Sequence, residues 1–532
     1  MVINAVLAPV ACTAGTVPAF PADIGTSSAS TVGNSRISYT NDTVNGICMR
    51  YTYTYVDGND NALAVGSAAT NFIRYCEYPG ERLFAKVKFE VNGNPLDDYD
   101  VTAMIFKQKY GLLPNKIVGW KRLVGQEVPV EAYSDLSSIQ GNAGVASSAS
   151  NLVAVTGAPA LASINNAQDT SRKLIAIVNG AQTAKASQPA LDMWIPLIFW
   201  FNTDSRLSIP SVSIPYGQRF ITVTLQQQAN LVFPAPGNLF LKLEVQRQVS
   251  AGTDKGLPTA LAVQDVQTWT TYVPTLATGS VVNTTQTIQN LSLYINNIFV
   301  NPEIHDIYIK RIGFSLIRVH RYQSNAENVA TDNFLLSNLK WPIEYMYVAL
   351  QPQYNTSSAN PNQYRDWDRF TLLTDQDRYQ LAKSRADIMI DDSVAYNAVS
   401  AKHKTNTSAV ASGIISYPTS TQTIDTIQLQ AHGINIFQQT DSQFFRDYMP
   451  YIFGGINVTT PEDPGAYFLN FCLYPGTYQP SGHINISRAR EFYIQYTSSY
   501  CSSTNPCNLI IMAKAINFLL ISDGSAVLRY ST

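Results

Sequence analysis

An all-β chain built twice on one plan is what this sequence predicts, and three observations carry the prediction. Segments that alternate apolar and polar residues recur from Ser38 onward, as in Lys86 to Val91 (KVKFEV), Ile221 to Leu225 (ITVTL) and Leu241 to Val245 (LKLEV). That is the pattern of antiparallel strands with one face buried. Long amphipathic helical patterns are scarce. Each half of the chain also runs through strands, a long irregular excursion, and strands again.

In chain order, the opening MVINAVLAPVACTAG has an apolar run but no positively charged start, so it reads as part of the protein and not as a secretion signal. Residues 1–71 are taken as an N-terminal segment of unassigned structure, the source of the opening strands if they belong to the first barrel. Residues 72–301 and 302–532 form the two main units. The first excursion, Ser134 to Asp192, is rich in Ser, Ala, Gly, Asn and Gln and too weakly patterned for core strands. The join is placed at Asn301-Pro302, with Leu293 to Val300 as a closing strand and Ile307 to Val319 as an opening one. No Gly/Ser or Pro-rich spacer separates them, so the units are expected to pack rigidly side by side. The second excursion, Gln351 to Ile424, includes one helical candidate, Thr374 to Ile388, capped by Thr374 or Asp375. Excursions of this length are expected at the outer surface. Near the end, Gln479 to Arg490 (QPSGHINISRAR) joins turn residues Pro480, Ser481 and Gly482 to a strand with Ile484 and Ile486 on its inner face and His483, Asn485 and Ser487 on the other.

Composition narrows the class. Charged residues make up 14% of the 532, against about 25% in ordinary soluble proteins, whereas hydrophobic residues reach 45% and tyrosines number 30. The charge deficit falls on the surface, which is then cheap to desolvate against neighbouring molecules. A formal charge of −2, with no run of Lys or Arg, argues against direct nucleic-acid contact. Six scattered cysteines do not make a disulfide framework, and free thiols are expected, Cys501 and Cys507 being the pair close enough in sequence to bridge.

No phosphate loop, dinucleotide fingerprint, zinc-protease, nucleophile-elbow or CxxC motif occurs, and the five histidines lack metal-ligand spacing. No catalytic, cofactor-binding or metal-binding residue is therefore assigned, and the chain is read as no enzyme. The paired carboxylates Asp97-Asp98 and Asp391-Asp392 read as turn or surface groups. Arg365-Asp366-Trp367-Asp368-Arg369 reads as an ion-pair cluster anchored by its tryptophan. Seven Asn-x-Ser/Thr tripeptides are what a chain rich in Asn and Thr produces by chance. Among the aromatic groups, Phe199-Trp200-Phe201 and Trp341 with Tyr345 and Tyr347 read as core. Phe444, Phe445, Arg446 and Tyr448, in a less alternating stretch, are the candidate inter-subunit contact.

Several segments carry a family resemblance. Beside Gln479 to Arg490 they are Tyr75 to Leu83 (YCEYPGERL), Val91 to Leu96 (VNGNPL), Leu123 to Val128 (LVGQEV), Phe199 to Ile221, Leu293 to Val319, Lys340 to Met346 (KWPIEYM), Asp463 to Ala466 and Gly524 to Thr532 (GSAVLRYST). In this order they resemble the major capsid proteins of nucleocytoplasmic large DNA viruses, of the African swine fever virus type. The resemblance implies two consecutive eight-stranded antiparallel jelly rolls with long inter-strand loops. It also implies a homotrimer whose six barrels make a pseudo-hexagonal capsomer tiling an icosahedral shell. Neighbouring capsomers, minor capsid and penton proteins would be its partners, and an inner membrane would be touched only indirectly. Assembly would take place in the host cytoplasm, leaving the tripeptides unmodified. An assembly chaperone is expected because strand pairings distant in sequence form slowly. The competing reading is a trimeric jelly-roll attachment or glycan-binding protein.

Overall fold

The structure is a computed structural model that describes residues 1–12, 14–20, 30–42, 47–56, 61–128, 130–133, 174–177, 180–214, 218–227, 230–235, 240–249, 262–272, 287–311, 314–339, 341–357, 360, 363–372, 422–486, 491–522 and 525–530. In its C-terminal half eight strands make the frame: β1 (Phe314–Glu327), β2 (Thr331–Leu335), β3 (Pro342–Pro352), β4 (Thr426–Ala431), β5 (Ile434–Asp441), β6 (Ala466–Asn470), β7 (Phe492–Thr497) and β8 (Cys507–Ser522), with the short strands Ile484–Asn485 on β3 and Ser525–Leu528 on β8. They form two antiparallel sheets, in the orders β1-β8-β3-β6 and β2-β7-β4-β5. Apart from the β4-β5 hairpin, the chain passes from one sheet to the other between successive strands, so most pairings join segments distant in sequence. This is the double-sheet plan of a jelly roll.

In the N-terminal half, Val2–Leu7 lies between Leu191–Pro196 and Ile288–Tyr294, and Phe84–Val91 lies between Asn94–Asp100 and Arg219–Leu225. A six-stranded sheet contains Ser35–Asp42, Ile47–Val56, Phe240–Val249 and Ala262–Tyr272. The expected alternation is clear in Phe84–Val91, where Val87, Phe89 and Val91 are buried and Lys86, Lys88 and Glu90 are half-buried. Two tight hairpins set register. At Asn92-Gly93 both residues have positive φ, 51° and 78°, and at His432-Gly433 the values are 51° and 76°. Two-residue turns of this kind match the twist of the strands they join, and only glycine takes the second position without strain.

Four sequence expectations change. Strands begin at Val2, ahead of Ser38, and Val2–Leu7 is a central strand with Ile3, Ala5 and Leu7 buried. The first excursion ends early, because Leu174–Ile177 pairs with Val130–Tyr133 and Leu191–Pro196 pairs with Val2–Leu7; residues 134–173 lie outside the described set. At the join, the closing strand is Ile288–Tyr294, residues 295–300 have no regular structure, and Pro302–Arg311 is a helix. Pro302 presets the first helical turn, and the Ile-x-Ile spacing that resembled a strand lies within that helix. The opening strand therefore starts at Phe314 and not at Ile307. The second excursion starts after Gln351 and Pro352, which still belong to β3; its helical candidate Thr374 to Ile388 falls outside the described residues.

Strand β3 is buried along its whole length, on both faces. One face closes the C-terminal sandwich. The other receives the helix Val101–Tyr110 from the N-terminal half, with Phe106 and Tyr110 stacked on Tyr347 at centroid distances of 5.1 and 4.7 Å. One continuous set of buried apolar residues runs through both halves. Polar contacts cross the same seam. The Trp367 indole donates to the Glu77 carbonyl at 2.8 Å, and Lys109 donates to Asp463 at 2.9 Å. The Arg82 guanidinium lies over Trp367, 5.2 Å from its centroid.

At the centre of the seam, Asp97 accepts from the His320 amide at 2.8 Å and from its Nδ1 at 3.0 Å, while Lys514 donates to Nε2. Asp97 thereby holds the Nδ1–H tautomer, leaving Nε2 as the acceptor. Tyr99, Asp100, Lys107, Arg318 and Glu344 surround the group. Burial, with Lys514 second, pushes the His320 pKa down against the pull of Asp97, and burial pushes Lys514 down to about 7. Both folded values lie below the unfolded ones, so the unfolded chain takes up protons first and stability is lost as pH falls. For His320 the loss begins near 6.5, the ordinary value of an imidazole, and proceeds at up to about 1.4 kcal/mol per pH unit. His320→Gln keeps a donor and an acceptor but cannot titrate. Urea midpoints measured from pH 7.5 to 5 should fall less steeply for this variant than for the parent.

Candidate inter-subunit surface

The segment between β5 and β6 builds an exposed apolar surface on the C-terminal half. Asp441 ends β5 and accepts from the Gln443 amide at 2.8 Å, starting a wide π-helical turn over Phe444–Tyr448 that runs into the helix Met449–Phe453. The extra residue in such a turn re-aims successive side chains. Phe445 points inward, fully buried and edge-on to Phe437 at 5.3 Å. Phe444 stays half-buried and stacks on Tyr448 at 5.2 Å. Arg446 turns onto its neighbour Asp447 through bonds of 2.7 and 3.0 Å. Asp441, Gln443, Phe444, Asp447, Tyr448, Tyr451 and Thr460 then line an open groove of about 590 Å³.

The expected contact is thus divided. Phe444 and Tyr448 do face the groove, whereas Phe445 is corrected to a core residue and Arg446 is half-buried against Asp447. Residues not singled out in the sequence dominate the exposed surface: Tyr451 at 81%, Ile456 at 79% and Leu473 at 71% exposure, with Ile452, Phe453 and Tyr474 beside them. The signal was present in MPYIFGGI, an apolar run with no alternation to place it in a sheet.

These loops are firmly held. Asn470 donates to the Phe453 carbonyl at 3.0 Å, Asn457 to the Pro475 carbonyl at 3.3 Å, and the Thr459 amide to the Tyr110 carbonyl at 2.8 Å. Ser481 accepts from the Tyr474 amide at 2.7 Å, and the Arg206 guanidinium of the N-terminal half lies 3.9 Å from the Tyr478 centroid. An apolar surface anchored in this way is already shaped for contact and loses little freedom on binding.

The other candidate groups have structural places. Asp97 faces His320 while Asp98 pairs with Lys86 at 2.6 Å, so the two carboxylates diverge across the strand. Asp391-Asp392 lies outside the described residues. In the Arg365 to Arg369 cluster, Asp366 meets Arg369 at 3.9 Å around the buried Trp367, and burial raises the pKa of Asp368. Phe199 and Trp200 pack with Phe201 around Phe89 in the core, and Trp341, Tyr345 and Tyr347 are buried. Cys501 and Cys507 are free thiols. Among the described residues, no three His, Cys, Asp or Glu side chains converge as a metal site, and no helix is long and apolar enough to cross a membrane.

Comparison with known proteins agrees with this architecture. The family described as "Large eukaryotic DNA virus major capsid protein" matches residues 297–527. The hexon protein p72 of African swine fever virus, isolate Tick/Malawi/Lil 20-1/1983, is 38% identical over 518 residues, spanning 90% of this chain and 76% of that protein. The major capsid protein of isolate Warthog/Namibia/Wart80/1980 is 39% identical over the same spans. The solved Faustovirus major capsid protein superposes with a TM-score of 0.80 at 47% identity, covering 98% of this chain and 85% of that one. Identity of this extent, together with the jelly-roll sheet order, places the chain in the family of large eukaryotic DNA virus major capsid proteins, as a double jelly roll.

Proposed function

We propose that three copies of the chain close into a trimer, that its six barrels act as one pseudo-hexagonal capsomer, and that such capsomers tile an icosahedral shell. The observation that carries this reading is the anchored apolar surface around Tyr451, Ile456 and Leu473, on a molecule whose two halves share one core. Exposed apolar patches of this kind on a rigid body mark contact with other protein surfaces. Each contact can be weak when a subunit is held by several neighbours at once. Minor capsid and penton proteins are the further partners, assembly takes place in the host cytoplasm, and no enzymatic step is required. Phe199, Trp200, Trp341, Tyr345 and Tyr347, which a glycan platform could otherwise use, lie in the core.

Light scattering on the purified protein is the direct test. The expected result is a trimer at micromolar concentration, with a total interface above about 2,000 Å². A folded, stable monomer at that concentration overturns the reading.

A further inference from the structure

The groove beside Tyr451 has a chemical counterpart on the same molecule. Residues Pro114–Lys116 and the helix Ile117–Leu123 carry Lys116, Lys121 and Arg122, with exposed Val118 and Leu123 among them. No acidic residue occurs between Asp100 and Glu127, and the three cations have no ion pair or side-chain hydrogen bond within the described residues. The helix is fixed from beneath, where the buried Trp120 donates to Glu81 at 2.5 Å. Lys116 and Arg122 are exposed, and Lys121 is half-buried.

The groove is the reverse. Asp441 and Asp447 line it, Glu462 is exposed two residues beyond Thr460, and Arg446, already paired with Asp447, is the one cation from Asp441 to Asp463. The apolar centre is supplied by Phe444, Tyr448 and Tyr451. Both surfaces therefore join an exposed apolar centre to charge of one sign, and the signs are opposite. Apolar contact would supply most of the attraction, and the charges would steer and orient the approach.

Resting on the assembly reading above, we propose that the groove receives the basic segment Pro114–Leu123 of a second copy of this chain. Lys116, Lys121 and Arg122 lie over the carboxylates of Asp441, Asp447 and Glu462, and Val118 and Leu123 lie on Tyr448 and Tyr451. An aromatic wall beside carboxylates suits ammonium and guanidinium groups in particular, because the ring faces attract cations as well. A second copy is the occupant because each molecule presents both halves of the contact, and a shell made of many copies brings them together at high local concentration.

The test uses unmodified chain. Protein grown with normal and with heavy nitrogen is mixed as separated subunits, assembled, and treated with a zero-length carbodiimide that joins carboxylates to lysines. The expected products are peptides linking Asp441, Asp447 or Glu462 to Lys116 or Lys121, with one partner of each isotope. In parallel, Asp441→Lys with Glu462→Lys, and separately Lys116→Glu with Arg122→Glu, should each weaken self-association at least tenfold, and the fourfold charge-swapped chain should recover it. Circular dichroism and the melting midpoint establish that each variant is folded; the cross-links need no variant. Assembly without mixed-isotope links at these residues overturns the contact and leaves the capsomer reading standing. Weakening by the acidic reversals with no effect of the basic ones assigns the groove to a different protein and also overturns it. A wild-type chain that stays monomeric overturns the capsomer reading itself.

Discussion

Asp463→Ala is expected to lower stability by about 3–5 kcal/mol, the range for removing one partner of a buried ion pair. The carboxylate takes four donors: Lys109 at 2.9 Å, the Phe370 amide at 3.1 Å, the Thr371 hydroxyl at 3.2 Å and the Gly465 amide at 3.2 Å. Burial alone would raise its pKa, but Lys109 and the Phe370 amide outweigh it and hold the group below the ordinary carboxylate value. Alanine would leave Lys109 from the N-terminal half almost buried and without its counter-charge. Asp463→Asn keeps acceptor capacity and should lose less, and Lys109→Met with Asp463→Leu, which removes both charges, should recover much of the loss. Urea midpoints of the four chains are the measurement. A cost below about 1 kcal/mol for Asp463→Ala would mean that the site behaves as an exposed pair.

Ile486→Asp should be as damaging. Ile484–Asn485 forms a two-residue strand on β3, with Ile484 half-buried, Ile486 1% exposed, and His483 and Asn485 exposed. A carboxylate at Ile486 would be taken out of water into an apolar core and should cost more than about 4 kcal/mol. Trimer yield should fall to background. His483→Asp, three residues earlier and on the outer face, should stay within about 0.5 kcal/mol. Comparable tolerance at both positions would place the register one residue out.

Those four residues also show what the sequence could disclose. The alternation of His483, Ile484, Asn485 and Ile486 predicts their faces correctly, because period-two patterning reports directly on burial. The length of the strand was not legible there: pairing stops after two residues. Phe444 to Tyr448 failed for a related reason. A π turn shifts the facing of each side chain by a fraction of a turn, so Phe445 enters the core while adjacent Phe444 stays at the surface. No two-residue or ordinary helical period describes that segment. The His320 linkage was beyond reach because its three members stand at positions 97, 320 and 514 and meet only when both halves are in place. The helix Pro302–Arg311 was hidden by isoleucines spaced as in a strand, which Pro302 outweighs by fixing the first turn.

Strand β8 lies between β1 and β3 although it follows both of them far along the chain. During synthesis on the ribosome, β1 and β3 therefore emerge with the space between them vacant, and each presents an unpaired edge to other nascent chains. The helix Val101–Tyr110 of the N-terminal half packs on a face of β3, where Phe106 and Tyr110 meet Tyr347, and does not cover those edges. Closure of this sheet thus waits for β8. A protein made in many copies at once therefore needs those open edges protected until β8 pairs with them.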